Sequence, residues 1–119
     1  MSLIMLIDDD KDILGLTERW MIKAGYETLT AATGTDALSM LEMIRPDLIL
    51  LDYYMPGMDG PDVFRAIRDK ENLKDIPVIF RTGVDDKDAA ETMEKLKPDA
   101  VVSKGDGKTA LLDAVSRII

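Results

Sequence analysis

The 119-residue sequence contains no cysteine and no histidine. These absences exclude a thiol nucleophile, an imidazole general base and any metal site with thiolate or imidazole ligands. Any chemistry must therefore use carboxylates, hydroxyls, lysine and arginine. The lack of cysteine also agrees with a reducing compartment, although it does not by itself establish one.

Positive charge is scarce as well. The sequence has 15 lysines and arginines and 23 aspartates and glutamates, which gives a net charge of −8 at pH 7. Proteins that bind nucleic acid directly carry clustered positive charge, so this balance argues against such binding and favours protein partners. Apolar runs long enough to span a bilayer are lacking too, and residues 3–7 lack the length and basic lead of a signal peptide. We therefore expect a single cytoplasmic domain over residues 1–119, without membrane insertion.

The pattern of apolar residues predicts an α/β protein, because short apolar runs alternate with segments of helical periodicity. Right-handed crossovers make the strands of such a chain parallel, and helices then cover both faces of the sheet. We expect a flavodoxin-like (βα)5 three-layer sandwich whose five-stranded parallel sheet has the order 2-1-3-4-5. The predicted strands cover residues 3–7, 26–31, 48–51, 77–81 and 100–103.

Capping residues and periodicity predict where the helices lie. Asp10 is expected to cap the first helix and Gly25 to end it. The second helix is predicted over residues 34–45, where Pro46 stops it, and the third over about 61–71. The apolar stripes predict which residues face inward. In the first helix these are Ile13, Leu16, Trp20 and Ala24, with Leu14 and Met21 beside them, and in the second they are Leu38, Leu41 and Ile44.

The most informative stretch is the third predicted strand and the loop after it. Four consecutive aliphatic residues, Leu48 to Leu51, indicate a strand buried on both faces. Asp52 follows at the end of this strand, and glycine-proline pairs within residues 56–61 mark a loop and the start of the next helix. Polar residues often simply end strands, so Asp52 alone does not decide between a structural and a functional role.

Other polar side chains follow other strands in the same way. Asp8 and Asp9 follow strand one, Thr82 follows strand four and Lys104 follows strand five. Because parallel strands share one carboxyl edge, and because strands one and three are neighbours in the expected order, the three carboxylates should converge. Each residue has an ordinary alternative as a loop charge, a turn residue or a surface lysine, but five at one edge favour a functional site.

Convergent carboxylates need a compensating group. Two like charges about 4 Å apart repel by roughly 4 kcal/mol at an effective dielectric near 20, so either one carboxyl is protonated or a cation lies among them. Ligands that are all oxygen favour a hard divalent ion, and Mg²⁺ suits a site with few protein ligands and several waters. A hydroxyl and an ammonium suit phosphoryl oxygens, and an aspartate can itself be the nucleophile that receives a phosphoryl group.

The combined pattern closely resembles the receiver domain of two-component response regulators, over essentially the whole chain. It consists of Asp8-Asp9, Asp52 with Met-Pro-Gly-Met-Asp-Gly at residues 55–60, Thr82-Gly83, and Lys104. The resemblance implies that Asp52 is the phosphoacceptor, that Asp9 binds Mg²⁺ directly and that Asp8 helps through water.

The same resemblance implies the remaining roles. Asp52 and the backbone carbonyl of Tyr54 would complete the protein ligands of Mg²⁺. Lys104 would pair with the phosphoryl group and with Asp52, and Thr82 would donate a hydrogen bond to a phosphoryl oxygen. Tyr54 and Val84, two positions beyond Asp52 and Thr82, would flank that group; neither suits the orientation of an attacking water, so we expect slow loss of phosphate.

The implied partners are proteins. The donor would be a phosphohistidine on a histidine kinase or a histidine phosphotransfer protein, and the phosphorylated domain would act on a downstream protein or effector domain. The activity would be phosphoryl transfer to the domain itself and its hydrolysis, so the chain would not be an enzyme that turns over a metabolite. Whether phosphorylation produces a homodimer is left open.

Four positions depart from the family pattern. Gly105 replaces the usual proline, so the bond before it should be trans, since cis would cost about 3 kcal/mol. Val101 replaces a switch aromatic, Asp106 replaces an apolar residue and Arg81 places a charge before Thr82. We expect Gly105 to loosen the loop that carries Lys104 and Val101 to remove the usual coupling of threonine and aromatic movement. Asp106 and Arg81 should alter signalling through the face formed by helix four, strand five and helix five.

These departures keep an alternative function open, namely a receiver-like module that binds proteins without being phosphorylated. Two other classes fit less well. An aspartyl phosphatase would need a second acidic residue where Tyr54 stands. A flavin carrier would need a phosphate cradle where residues 8–10 are acidic.

Overall fold

The computed structural model describes residues 2–83 and 87–119. Its strands form one parallel sheet of order 2-1-3-4-5, as the sequence predicts. The strands are β1 (Leu3–Ile7), β2 (Glu27–Ala31), β3 (Leu48–Asp52), β4 (Val78–Thr82) and β5 (Ala100–Ser103). The helices are α1 (Lys11–Lys23), α2 (Gly34–Leu41), α3 (Gly60–Arg68), α4 (Lys87–Leu96) and α5 (Gly107–Ile118), with a 3-10 turn at Lys104–Asp106.

The sheet separates two apolar layers, as expected when both faces of a parallel sheet are covered. Every residue of β3 and β4 is buried, because these strands lie in the interior of the sheet. One layer packs under α2, α3 and α4 and includes Met5, Ile7, Ile49, Leu51, Val63, Phe64, Phe80 and Met93. The other packs under α1 and α5 and includes Ile4, Leu6, Leu14, Met21, Leu50, Ile79, Leu111 and Val115.

The helix ends follow the capping residues of the sequence. Asp10 caps α1, as predicted, because its Oδ1 accepts from the backbone N–H groups of Asp12 at 3.0 Å and Ile13 at 3.2 Å. Gly25 follows α1 with a φ of 96°, a left-handed conformation that favours glycine after a helix. No helix within the described ranges is both long and apolar enough to cross a membrane.

The predicted inward face of α1 is partly wrong. Leu14 and Met21 are buried as predicted, but Leu16 is 40% exposed and Ala24 is exposed, and the buried Thr17 was not predicted. Thr17 can occupy a core position because its hydroxyl donates to the backbone carbonyl of Ile13 at 2.8 Å. The hydrophobic pattern misses this position because it counts threonine as polar.

Helix α2 is shorter than predicted, since it ends at Leu41, and Ile44 is exposed instead of inward. The backbone N–H of Asp47 already donates to the carbonyl of Leu3 at 2.8 Å, so residues 42–46 must carry the chain to the sheet. Other boundaries differ by a few residues: α3 starts at Gly60 and ends at Arg68, β2 starts at Glu27, and β3 and β4 extend to Asp52 and Thr82.

A close approach at Gly60 fixes the loop after β3. The Gly60 N–H donates to the carbonyl of Tyr53 at 2.8 Å. A Cβ at Gly60 would lie 2.4 Å from the Asp52 carbonyl oxygen and 2.9 Å from the Phe80 ring, so only glycine fits. Asp59 and Asp62 then cap α3 reciprocally. The hydrogen bond from Gly60 to Tyr53 and the close approach of Gly60 to Asp52 therefore restrict the backbone at the end of β3.

Candidate functional site

Three carboxylates meet at the carboxyl edge of β1 and β3. Asp8 follows β1 directly, Asp52 ends β3, and the pairing of Ile7 with Leu51 sets the two strand ends side by side. One carboxylate oxygen from each of Asp8, Asp9 and Asp52 lies within 4.8 Å of the other two. Asp8 and Asp52 are buried, whereas Asp9 is exposed. The structure thus shows the convergence that the strand order predicts.

Lys104 bridges the two buried carboxylates. Its Nζ lies 3.0 Å from Asp8 Oδ2 and 3.1 Å from Asp52 Oδ1. Because β4 separates β5 from β3, the lysine side chain must reach across the end of β4 to make these contacts. Burial lowers the pKa of Lys104, but the hydrogen bonds to Asp8 and Asp52 and their charges outweigh it, so the net shift is upward. The ammonium therefore stays charged at neutral pH.

The turn that carries Lys104 differs from the family pattern but is locally supported. Ser103 Oγ accepts from the Gly105 N–H at 3.2 Å and so caps this 3-10 turn. The Lys104–Gly105 bond is trans, since the described residues contain no cis peptide bond. Lys104 thus reaches both carboxylates without the usual proline after it.

Asp52 has an unusual protonation equilibrium. Burial is the largest cause, and together with the charge of Asp8 and a hydrogen bond to Asp9 it raises the pKa of Asp52 to about 7, although Lys104 opposes the shift. Without a further cation, the Asp52 carboxyl therefore keeps its proton to a higher pH than an ordinary aspartate does. One lysine does not neutralise the three carboxylates.

A second cation, Arg81, lies near the same carboxylates but forms no ion pair within 4 Å with them in the described residues. It pairs with Asp52 in the register of β3 and β4 and is buried at 6% exposure. One terminal nitrogen donates to Thr17 Oγ1 at 2.9 Å, which places the guanidinium on the α1 side of the sheet. Burial lowers the pKa of Arg81, while the charges of Asp8 and Asp52 oppose this shift. The Arg81 guanidinium therefore lies by α1 and not at the face formed by α4, β5 and α5, and its expected effect on signalling through that face stays a prediction.

Thr82 ends β4 at the same edge and is buried next to Ser103 of β5. Beside it opens a groove of about 860 Å³ that reaches α4 and β5. Val101 lines this groove and is 48% exposed, so the small side chain at the aromatic position leaves it open. Asp106, another departure from the family pattern, lines the same groove and is exposed.

Tyr54 and Val84 are the two residues expected to flank the phosphoryl group. Tyr54 is 56% exposed, and its ring meets that of Tyr53 edge-on with the centroids 4.7 Å apart. Its side chain therefore stands at the surface two residues beyond Asp52. Val84 lies outside the described residues. The assignment of the Tyr54 carbonyl as a metal ligand stays a prediction.

The donor set fits a divalent cation. All three converging groups are carboxylates, which are the ligands that Mg²⁺ accepts in proteins, and the exposed Asp9 leaves room for waters on the metal. The charge of Asp8 also contributes to the raised pKa of Asp52, after burial, and a divalent ion would offset this repulsion between carboxylates.

The comparison with protein families decides the identity of the domain. The family model of the response regulator receiver domain matches residues 4–116. The chain belongs to the response regulator receiver domain family. Receiver-domain membership places it in two-component signalling and supports a switch based on phosphorylation.

Similar proteins agree with this family. Transcriptional regulatory protein AfsQ1 of Streptomyces coelicolor is 38% identical over 120 residues, which cover 100% of this chain and 51% of AfsQ1. Response regulator PleD of Caulobacter vibrioides is 40% identical over 82 residues, covering 69% of this chain and 18% of PleD. The receiver domain therefore spans about half of the first relative and less than a fifth of the second.

Solved structures of receiver domains have the same fold. Chemotaxis protein CheY4 of Vibrio cholerae superposes with a TM-score of 0.92 at 26% identity, over 100% of this chain and 99% of that protein. A signal receiver domain of a histidine kinase from Syntrophus aciditrophicus has a TM-score of 0.93 at 27% identity, covering 99% of this chain and 89% of that one.

Proposed function

We propose that this receiver domain is a signalling switch that accepts a phosphoryl group on Asp52 from a phosphohistidine donor, with Mg²⁺ bound beside it. The observation that supports the proposal most is the grouping of one cation with three carboxylates. Lys104 contacts Asp8 and Asp52 within about 3 Å, and the oxygens of Asp8, Asp9 and Asp52 lie within 4.8 Å of one another.

The residues at the site match the demands of phosphoryl transfer, in which positioning and charge neutralisation do most of the work. Asp52 attacks phosphorus, its new O–P bond forms as the N–P bond of the donor breaks, and the imidazole leaves with the electron pair and takes up a proton. Lys104 balances charge on the phosphoryl oxygens. Thr82, at the end of β4, donates a hydrogen bond to one of these oxygens.

The proposed metal ligands are Asp8, Asp9, Asp52 and the backbone carbonyl of Tyr54. Asp9 is exposed and suits direct coordination, while the buried Asp8 already pairs with Lys104 and suits a contact through water. When bound, Mg²⁺ supplies positive charge to the carboxylates and to the phosphoryl oxygens.

The proposed partners follow from the family and from the similar proteins. The donor is a histidine kinase or a histidine phosphotransfer protein. AfsQ1 is named a transcriptional regulatory protein and is about twice as long as this chain, so we propose an effector domain or a separate downstream protein as the output. The domain transfers phosphate only to itself and hydrolyses it, so we propose that it is not a metabolic enzyme.

One observation favours a second candidate, a protein-binding module that needs no phosphorylation. Val101 leaves the groove beside α4 and β5 open, and the switch aromatic of the family is missing there. A domain without that aromatic can present one fixed surface to its partner in all conditions. Accepting no phosphate would distinguish this candidate from the first.

The test is phosphorylation by acetyl phosphate with Mg²⁺, followed by intact mass. We expect the parent to gain one phosphoryl group that is stable in acid and labile in base. Asp52→Asn should gain none, while Asp113→Asn, which changes an exposed aspartate on α5, should gain one. The same gain in Asp52→Asn would place the nucleophile elsewhere, and no gain in the folded parent would favour the binding module.

A further inference from the structure

Arg81 gives the acidic site a second built-in positive charge. Asp8, Asp9 and Asp52 carry three negative charges when ionised, and Lys104 and Arg81 carry two positive ones. The site therefore has a net charge of about −1 before any metal binds, whereas without Arg81 it would be about −2. Because arginine does not lose its proton in proteins, this contribution is constant across the working pH range.

Hydrogen bonds satisfy the buried Arg81 side chain only in part. A buried guanidinium is costly unless its donors are satisfied. Arg81 donates to Thr17 Oγ1, but its Nε has no hydrogen-bond partner within the described part of the chain. The cavity bounded by Asp8, Thr17 and Arg81 is only about 10 Å³, which leaves space for one water at most. The nearby charges of Asp8 and Asp52 offset part of the cost of burial, but the net shift of the Arg81 pKa is still downward.

We propose that Arg81 is a positioning residue that acts as an internal counter-cation and weakens Mg²⁺ binding at the carboxylate cluster. This inference rests on the proposed function, because it concerns the metal site assigned there. The position of Arg81 supports it: the residue pairs with Asp52 in register and reaches under the strand end towards α1, on the side of the sheet where Asp8 also lies. A fixed charge at that place repels any cation that enters from the solvent side.

The test is isothermal titration of the folded, metal-free protein with MgCl₂. Arg81→Met and Arg81→Gln remove the charge, and we expect each variant to bind Mg²⁺ about tenfold more tightly than the parent. A change of this size is expected when a unit charge near a divalent ion is removed and solvent screens most of the repulsion. Arg81→Lys retains a positive charge and should stay within about threefold of the parent. Arg117→Met removes an exposed charge that pairs with Asp113 on α5, and it should leave the affinity unchanged.

A second readout separates the charge of Arg81 from its packing. If the charge matters, Mg²⁺ should raise the melting temperature of the uncharged variants more than that of the parent. Thr17→Val removes the hydrogen bond but not the charge, and it should bind Mg²⁺ like the parent. If one uncharged variant does not fold, the other is compared with Arg81→Lys in the same way.

Two results would overturn the inference, and they differ in what else they overturn. Parent-like Mg²⁺ affinity in the uncharged variants would make Arg81 a structural residue only and leave the proposed function intact. No Mg²⁺ binding by the folded parent and by all variants would remove the proposed metal site together with the inference.

Discussion

Asp52→Asn should stabilise the metal-free protein near pH 8 and have little effect near pH 4. Burial and Asp8 raise the pKa of Asp52 from 3.8 to about 7 in the folded state. The folded protein therefore holds a proton that the unfolded chain has released, so the stability associated with Asp52 is complete below pH 4 and is lost as the pH rises towards 7. Asparagine has no such proton to lose.

The magnitude follows from the size of the pKa shift. The shift is about 3 units, and each unit corresponds to about 1.4 kcal/mol, so ionisation of Asp52 should cost the parent about 4 kcal/mol above pH 7. Asp52 is only 5% exposed, so screening by solvent does not remove most of this cost. For a domain of this size, whose total stability is about 5–15 kcal/mol, the loss is large.

The assay is urea denaturation in EDTA between pH 4 and pH 8, followed by the fluorescence of Trp20. The difference in unfolding free energy between variant and parent reports the ionisation of Asp52 together with its interactions with Asp8 and Lys104, because titrating groups elsewhere contribute equally to both proteins. It should grow by about 1.4 kcal/mol per pH unit from pH 4 to pH 7 and then level off. A difference that does not change with pH would refute the assignment of a near-neutral pKa to Asp52.

Two further predictions concern the loop after β3. Gly60→Ala should lower the unfolding free energy by about 2–4 kcal/mol in urea denaturation, because its Cβ would lie 2.4 Å from the Asp52 carbonyl oxygen. Gly15→Ala is the control: it has open space within α1 and should raise the unfolding free energy by about 0.5–1 kcal/mol. Equal effects of the two substitutions would contradict the steric argument. Tyr54→Asn should shorten the lifetime of phosphorylated Asp52, because an amide orients water better than an exposed ring does. The lifetime is measured by intact mass over time. A lifetime equal to or longer than that of the parent would show that Tyr54 does not shield the phosphoryl group.

The fold was largely predictable because its strongest signals are local. Runs such as Leu48 to Leu51 are too short and too apolar for anything but buried strands, and alternation with helical segments leaves parallel topology as the simplest arrangement. Helix faces were less predictable. Thr17 is buried because it satisfies its own hydroxyl within α1, and a polar residue that does so cannot be recognised from hydrophobic periodicity.

The carboxylate cluster was predictable from the topology of the sheet. The position of Arg81 at this cluster was not, because the residues around it in β4 do not indicate the direction of its side chain. Once β1 and β3 are neighbours, the residues at their ends must meet, so Asp8 and Asp52 follow from strand order alone. Alternation normally shows which face a strand residue occupies, but every residue of β4 is buried. The apolar pattern around Arg81 therefore carries no information about the direction of its side chain. Only the register with Asp52 and the contact with Thr17 assign it to the site.

The absence of histidine gives the pKa of Asp52 particular weight. Histidine is the side chain whose ordinary pKa lies near neutrality, and this sequence has none. Asp52 is instead the side chain with a pKa near neutrality, because burial and the charge of Asp8 raise its pKa to about 7. In the proposed site a proton and Mg²⁺ would compete for this carboxylate, to which Lys104 already supplies positive charge. Removal of a fixed charge and a rise in pH should therefore act in the same direction on cation binding, since both leave the cluster more negative.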